Sequence, residues 1–226
     1  YPINGPSDEN AMKEPNFFII GAPKCGTTSL ARWLAQHPEV FMSPVKEPQH
    51  FSTDFPLGDW YDRKSYLSLF EGASSYHKAL GEASATYLRS SHAVPRIEKQ
   101  CPGARYIVML RNPVEMAPSF HWQCFFDGDE TVKDFEEAWR LQDKREAGDD
   151  IPRTVRAHQV LQYRWFCKLG EQLSMLYRTV ARERVLVLFL EDLERNVRQE
   201  WARVLKFLGV SQWDGLDFYP KNRATQ

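Results

Sequence analysis

Short apolar runs, each closed by a turn-forming residue, alternate along this chain with stretches of helical periodicity. Phe17-Phe18-Ile19-Ile20 ends at Gly21 and reads as a strand buried on both faces. Beyond Gly26, Leu30, Trp33 and Leu34 fall on one face of a helix that stops near Pro38. Lys78–Glu82 reads as a short strand and Tyr106–Leu110 as a stronger one. The latter runs into Arg111-Asn112-Pro113, where Asn112 suits an N-cap and Pro113 the first helical position. Phe166, Leu169, Leu173, Leu176, Tyr177 and Val180 recur at helical spacing, and Val185–Leu190 reads as a further strand. Asn196 with Gln199 resembles a capping box, followed by one apolar face (Val197, Trp201, Val204, Leu205, Leu208) and Gly209. Strands alternating with helices predict an α/β fold of three layers, αβα, around a central parallel sheet. In such sheets ligands bind beyond the carboxyl ends of strands. That rule singles out the turns after Ile20 and after Leu110.

The length, 226 residues, suits a single domain. Residues 16–226 are expected to form it, with 1–15 as a flexible lead or expression remnant. A first residue other than Met implies that the chain starts inside something longer. The balance of 42% apolar and 26% charged residues is that of a soluble globular protein. A net charge of −1 argues against a general nucleic-acid-binding surface, although a local cluster of donors could still hold a polyanion. No apolar run approaches the roughly 20 residues that a membrane span requires, and no secretory signal is visible. Cys25, Cys101, Cys124 and Cys167 form neither a Cys-x-x-Cys pair nor a zinc pattern. They suit reduced thiols and hence a cytoplasmic protein; a luminal Golgi domain trimmed of its anchor would look similar.

Between the first strand and the first helix stands Gly21-Ala22-Pro23-Lys24-Cys25-Gly26-Thr27-Thr28-Ser29. A turn of this kind aims backbone N–H groups and the positive end of a helix dipole at one point, a phosphate-binding geometry like that of a P-loop. A nucleoside triphosphatase loop would need a lysine where Thr27 stands. A cysteine phosphatase would need five residues between Cys and Arg, whereas six separate Cys25 from Arg32. A helix start could nevertheless lower the pKa of Cys25.

Pro23-Lys24-Cys25-Gly26-Thr27-Thr28-Ser29 resembles the 5′-phosphosulfate loop of sulfotransferases that use 3′-phosphoadenosine 5′-phosphosulfate (PAPS). Arg111-Asn112-Pro113 with Ser119 resembles the 3′-phosphate motif of the same family. The resemblance runs from about Phe17 to the Phe207-Leu208-Gly209-Val210 ending. It implies an enzyme that moves a sulfuryl group from PAPS to a hydroxyl or amine, releasing 3′,5′-adenosine diphosphate, with no metal required. Lys24, Cys25, Gly26, Thr27, Thr28 and Ser29 would hold the 5′ side of the donor, and Arg111 and Ser119 its 3′-phosphate. Lys24 would also stabilise the leaving phosphate.

Val45-Lys46-Glu47-Pro48-Gln49-His50-Phe51 resembles a Lys-Glu-x-x-x-Phe segment of the heparan-sulfate-type and related bacterial branch, which assigns the general base to Glu47. His92 is the rival, because the phenol and steroid branch uses a histidine base on a comparable connection and an unperturbed histidine is the commoner base. Lys46 could assist the donor or bind an anionic acceptor. Glu82-Ala83-Ser84-Ala85-Thr86-Tyr87 resembles a Glu-x-Ser-x-x-Tyr segment, which makes Ser84 and Tyr87 candidate acceptor contacts; several relatives carry lysine where Ala83 stands. Trp60, Tyr61, Trp122, Phe125 and Phe126 could line an acceptor cleft, while His50, His121 and His158 are expected at the surface or in packing. The branch match favours a carbohydrate or other polar acceptor. Relatives often continue into a glycine- and basic-rich segment closing over the adenine, which the chain would enter at Lys221 and Arg223. A P-loop kinase and a non-catalytic nucleotide-binding module remain the alternative readings.

Overall fold

A computed structural model describes residues 13–55, 61–216 and 218. Five strands form one sheet in the order β2-β3-β1-β4-β5, every neighbouring pair parallel. The chain runs through β1 (Phe17–Gly21), α1 (Thr27–Leu34), β2 (Val40–Met42), α2 (Arg63–Ser68), β3 (Ala79–Ala83) and α3 (Ala93–Gln100). It continues through β4 (Arg105–Leu110), α4 (Pro113–Phe126), α5 (Phe135–Arg140), α6 (Gln142–Glu146), α7 (Tyr163–Cys167), α8 (Leu169–Thr179), β5 (Val185–Phe189), α9 (Leu190–Arg195) and α10 (Val197–Leu208). Successive strand side chains point to opposite faces. Phe17, Phe18, Ile19 and Ile20 are all fully buried, so helices cover both faces of β1. The expected α/β sheet with flanking helices is therefore the observed one.

Local signals placed most helix ends. Asn112 accepts a hydrogen bond from the Val114 N–H, with Pro113 at the first helical position of α4. Asn196 accepts from the Gln199 N–H, and Gly209 closes α10 in the left-handed conformation. Three features differ from the sequence-based expectation. The edge strand β2 has only three residues, too short for periodicity to register. The apolar series from Phe166 to Val180 breaks at Lys168 into α7 and α8. Leu190 opens α9 rather than ending β5. At the start of the described residues the Lys13 ammonium donates to the Ala73 carbonyl, and the Asn16 side chain bonds both the Leu80 N–H and the Lys78 carbonyl. The candidate cleft residue Trp60 and the basic residues Lys221 and Arg223 lie outside the described residues.

All four cysteines are free thiols. Among the described residues no helix is long and apolar enough to cross a membrane.

Behind α4, the Glu130 carboxylate meets the Arg145 guanidinium through two bonds of 2.6 and 2.8 Å, both side chains at most 1% exposed. Tyr163 Oη donates a third bond and the Thr131 and Val132 N–H groups two more. Removing one partner of such a pair leaves a buried charge unmatched, at roughly 3–5 kcal/mol. Arg145→Ala should accordingly lower the thermal midpoint by about 10 °C. A melting curve within about 2 °C of the parent would show that the pair contributes nothing net.

Candidate active site

The carboxyl ends of β1, β3, β4 and β5 open into one cleft of about 1200 Å³. At its floor is the turn after β1. Gly26 is the N-cap of α1 at φ 89°, in the left-handed region. A Cβ there would stand 3.1 Å from Leu190 and 3.2 Å from Met109, so both the conformation and the space select glycine. The N–H groups of Lys24, Cys25, Gly26, Thr27 and Thr28 donate to nothing among the described residues. With the α1 dipole behind them they form a cradle suited to an anion. Thr27, Thr28 and Ser29 line the same floor.

Lys24 reaches over this turn, and its ammonium donates to Gln123 Oε1 at 3.1 Å. Burial pushes its pKa down, with the nearby positive charges of Arg111 and Lys46 adding to that and Asp127 opposing it. Ser119, Gln123 and Asp127 recur every four residues, so α4 lays them along one wall. Arg111, at the end of β4, donates to the Lys24 carbonyl at 3.2 Å and to Glu115 at 2.7 Å. Its Nε is buried without a partner. Cys25 departs from expectation. Its thiol is fully buried against Pro23 and Met116, and burial pushes its pKa up to about 12 rather than down. Only the backbone of Cys25 faces the cradle.

The opposite wall carries Lys46, Glu47 and Gln49. Glu47 and Gln49 have φ of 56° and 55°, a conformation that costs a non-glycine residue about 1–3 kcal/mol. Hydrogen bonds to the end of β3 hold them there. The Glu47 N–H donates to the Ala83 carbonyl at 2.9 Å, and the Ala85 N–H donates to Glu47 Oε2 at 2.8 Å. Gln49 Nε2 donates to the same oxygen at 3.1 Å, and Lys46 Nζ to Oε1 at 2.5 Å. The Glu47 side chain remains 31% exposed toward the cleft.

Ser84 and Tyr87, expected to touch the acceptor, are instead buried, at 1% and 0% exposure. Their hydroxyls donate to Glu82 at 2.7 and 2.9 Å, and Tyr66 adds a third bond at 3.1 Å. Their neighbours Ala85 and Thr86 reach the cleft wall in their place. His92 lies outside the cleft on the exposed start of α3, with Nδ1 2.7 Å from Thr53 Oγ1. His50 is packed, stacked on Tyr66 at 4.3 Å, and His121 is buried, while His158 is exposed. Of the aromatic candidates, Trp122 and Phe126 line the cleft, 47% and 81% exposed. Phe125 stacks on Trp122 from outside it, and Tyr61 contributes its carbonyl to His50.

Several cleft residues carried no sequence signal that joined them to the site. Trp33, Leu190, Leu193, Val197 and Phe218 form an apolar wall beside the cradle, with Phe218 edge-on to Trp33 at 5.2 Å. Arg156 lines the same cleft, its guanidinium clamped by the buried carboxylate of Asp129. Both arise from segments distant in the chain, which no local pattern connects.

Glu82 is fully buried, and burial outweighs its three hydroxyl donors to push its pKa up to about 7. Unfolding returns it to an ordinary value near 4.5. Between these values the folded state binds more protons, so stability falls as pH rises; below 4.5 both states are protonated and the penalty vanishes. The full effect is on the order of 3 kcal/mol. Denaturant unfolding at pH 4.5 and pH 8 should show the parent losing that much relative to Glu82→Gln, and parallel pH profiles would contradict the shift.

A model of the sulfotransferase domain matches residues 14–217. A solved sulfotransferase from Alicyclobacillus acidocaldarius superimposes with a TM-score of 0.82 at 32% identity, over 94% of this chain and 87% of that one. Carbohydrate sulfotransferase 15 of Mus musculus is 30% identical over 87% of this chain and 44% of its own length. The human bifunctional heparan sulfate N-deacetylase/N-sulfotransferase 2 is 34% identical over 87% of this chain and 22% of its own. The chain thus spans less than half the length of these curated relatives. With the domain match covering nearly all of its residues, the chain belongs to the sulfotransferase family.

Proposed function

We propose that the chain transfers a sulfuryl group from PAPS to a hydroxyl or amine of an acceptor. The observation that carries this reading is the cradle of open amides at Lys24–Thr28, facing the same cleft as the Lys24 ammonium and the Glu47 carboxylate. The donor's chemistry suits the residues present. Its 5′ side needs N–H and hydroxyl donors, which the cradle, Thr28 and Ser29 supply. Its 3′-phosphate needs a cation, and Arg111 offers a buried, unpartnered Nε in the cleft that Ser119 also lines. Its adenine needs an apolar wall, which Trp33, Leu193 and Phe218 supply.

When bound, the donor supplies an activated sulfuryl group on a phosphate leaving group. Glu47 takes the proton of the acceptor hydroxyl as the new O–S bond forms. The S–O bond to phosphate breaks with its electron pair on the phosphate oxygen, and Lys24 balances the charge that builds there. The geometry favours Glu47 over His92 as base, since only Glu47 lines the cleft. Trp122 and Phe126 offer exposed aromatic faces on which the C–H face of a sugar ring can rest, and relatives named for carbohydrate and heparan sulfate transfer support that acceptor class. Lys46 and Arg156 would meet anionic groups on such an acceptor. Free thiols agree with a reducing compartment such as the cytoplasm.

3′,5′-Adenosine diphosphate at about 100 times its dissociation constant adds roughly 2.7 kcal/mol, a rise of several degrees in thermal midpoint. Lys24→Ala and Arg111→Ala should lose that rise, and ATP with magnesium should not produce it. A shift with ATP–magnesium alone would favour a kinase instead. With PAPS and N-desulfated heparan sulfate, Glu47→Gln should lower kcat about 10²–10⁴-fold while keeping the thermal shift. His92→Gln should leave kcat within about twofold; the reverse pattern would move the base to His92.

A further inference from the structure

Glu82 is a fully buried carboxylate at the end of β3, and no cation bonds it among the described residues. An apolar residue could fill such a position at lower cost, so its retention calls for a reason. The hydrogen-bond directions supply one. Above about pH 7, where Glu82 is ionised, its carboxylate only accepts, so Ser84 and Tyr87 must each spend their single hydroxyl proton on it. Their oxygens are thereby left with lone pairs facing outward. Those lone pairs accept the Gln49 N–H at 3.3 Å and the Phe51 N–H at 3.2 Å. These are backbone groups of the loop that holds Glu47 and Gln49 in the left-handed region. Gln49 in turn donates to Glu47 Oε2 at 3.1 Å, and its own carbonyl oxygen is fixed by Ser52 and Thr86 hydroxyls at 2.7 Å each.

We propose that Glu82 is a positioning residue, which polarises the Ser84 and Tyr87 hydroxyls so that they anchor the Gln49–Phe51 backbone and aim the Glu47 carboxylate into the cleft. This rests on the reading of Glu47 as the base. The network acts on the acceptor wall alone. The Lys24–Thr28 cradle leaves a different strand and shares no hydrogen bond with Glu82. A glutamine at position 82 keeps the shape but offers an NH₂ group that donates. Ser84 or Tyr87 must then turn its proton elsewhere, and the loop loses an anchor.

The test compares the parent with Glu82→Gln, Glu47→Ala and the double variant. Amide hydrogen exchange should be at least tenfold faster at residues 47–51 in Glu82→Gln and unchanged at residues 24–30. Stabilisation by 3′,5′-adenosine diphosphate and the KM for PAPS should stay within about twofold of the parent. With N-desulfated heparan sulfate as acceptor probe, kcat should fall 10- to 100-fold in Glu82→Gln. The double variant should be no slower than Glu47→Ala alone, because a positioning residue has nothing to act on once its base is gone. Unchanged exchange at 47–51, or losses that multiply in the double variant, would overturn the positioning role while leaving the base assignment intact. Parent-like turnover in Glu47→Ala would instead remove the base assignment and, with it, the proposal. Should Glu82→Gln not fold, Ser84→Ala and Tyr87→Phe each remove one anchor and face the same exchange and kcat criteria.

Discussion

The placement of β1 between β3 and β4 is the constraint on which the cleft depends. Beyond the regular ladder, both neighbours keep hold of the departing chain. The Ala22 N–H donates to the Met109 carbonyl at 2.7 Å, the Leu88 N–H to Ile20 at 2.7 Å, and the Ser84 N–H to Ile19 at 3.1 Å. The turn after β1 therefore cannot swing as an ordinary surface loop does. Gly26 then brings the start of α1 against Met109 from β4 and Leu190 at the start of α9. Cradle, Arg111 turn and Glu47 loop converge because the sheet order makes their strand ends neighbours. A different order would separate them without altering any motif.

The charges of the cleft follow from local matching rather than from overall composition. A chain of net charge −1 places Lys24, Lys46, Arg111 and Arg156 around one opening. Each has an oxygen partner, yet the partners differ in strength. Arg156 is clamped by the buried carboxylate of Asp129 and is a fixed part of the wall. Arg111 bonds Glu115, whose side chain is 59% exposed, a surface pair worth about 1 kcal/mol or less. An incoming phosphate with two charges competes readily against that pair. Lys24 is held by a neutral amide, the weakest competitor of all for an anion.

What could be read from the chain alone followed the locality of the signal. β1 and β4, the caps at Asn112 and Asn196, and the helix face of α10 are written in adjacent residues and stand as read, and β5 does so up to Phe189. The three-residue β2 and the break at Lys168 depend on tertiary packing, which overrides periodicity in short segments. The same division governs the site. The cradle, Arg111 and Glu47 come from contiguous motifs and share one cleft. Ser84 and Tyr87 belong to a recognisable motif too, but the buried turn that follows β3 brings them onto Glu82. A motif reports that residues matter, not which partners they serve. Trp33, Phe218 and Arg156 come together only through long-range folding, so no window of sequence could join them.

The two halves of the cleft are built from different material, and this bears on how each can change. The donor half is mainly backbone: open N–H groups set by a glycine and a helix start, indifferent to most side chains around them. Substitution there disturbs the conformation itself, which leaves little room for variation. On the half that carries Glu47, the carboxylate is held by hydrogen bonds, but the surrounding lip consists of side chains at the cleft mouth: Lys46, Trp122, Phe126 and Arg156. Exchanging Trp122 or Phe126 would alter the shape offered to an acceptor without touching the sheet or the cradle. In the proposed arrangement Glu82 marks the boundary between the halves, because its network holds the Gln49–Phe51 backbone beside Glu47 and leaves the lip free. Chemistry and selectivity can then vary independently in this fold.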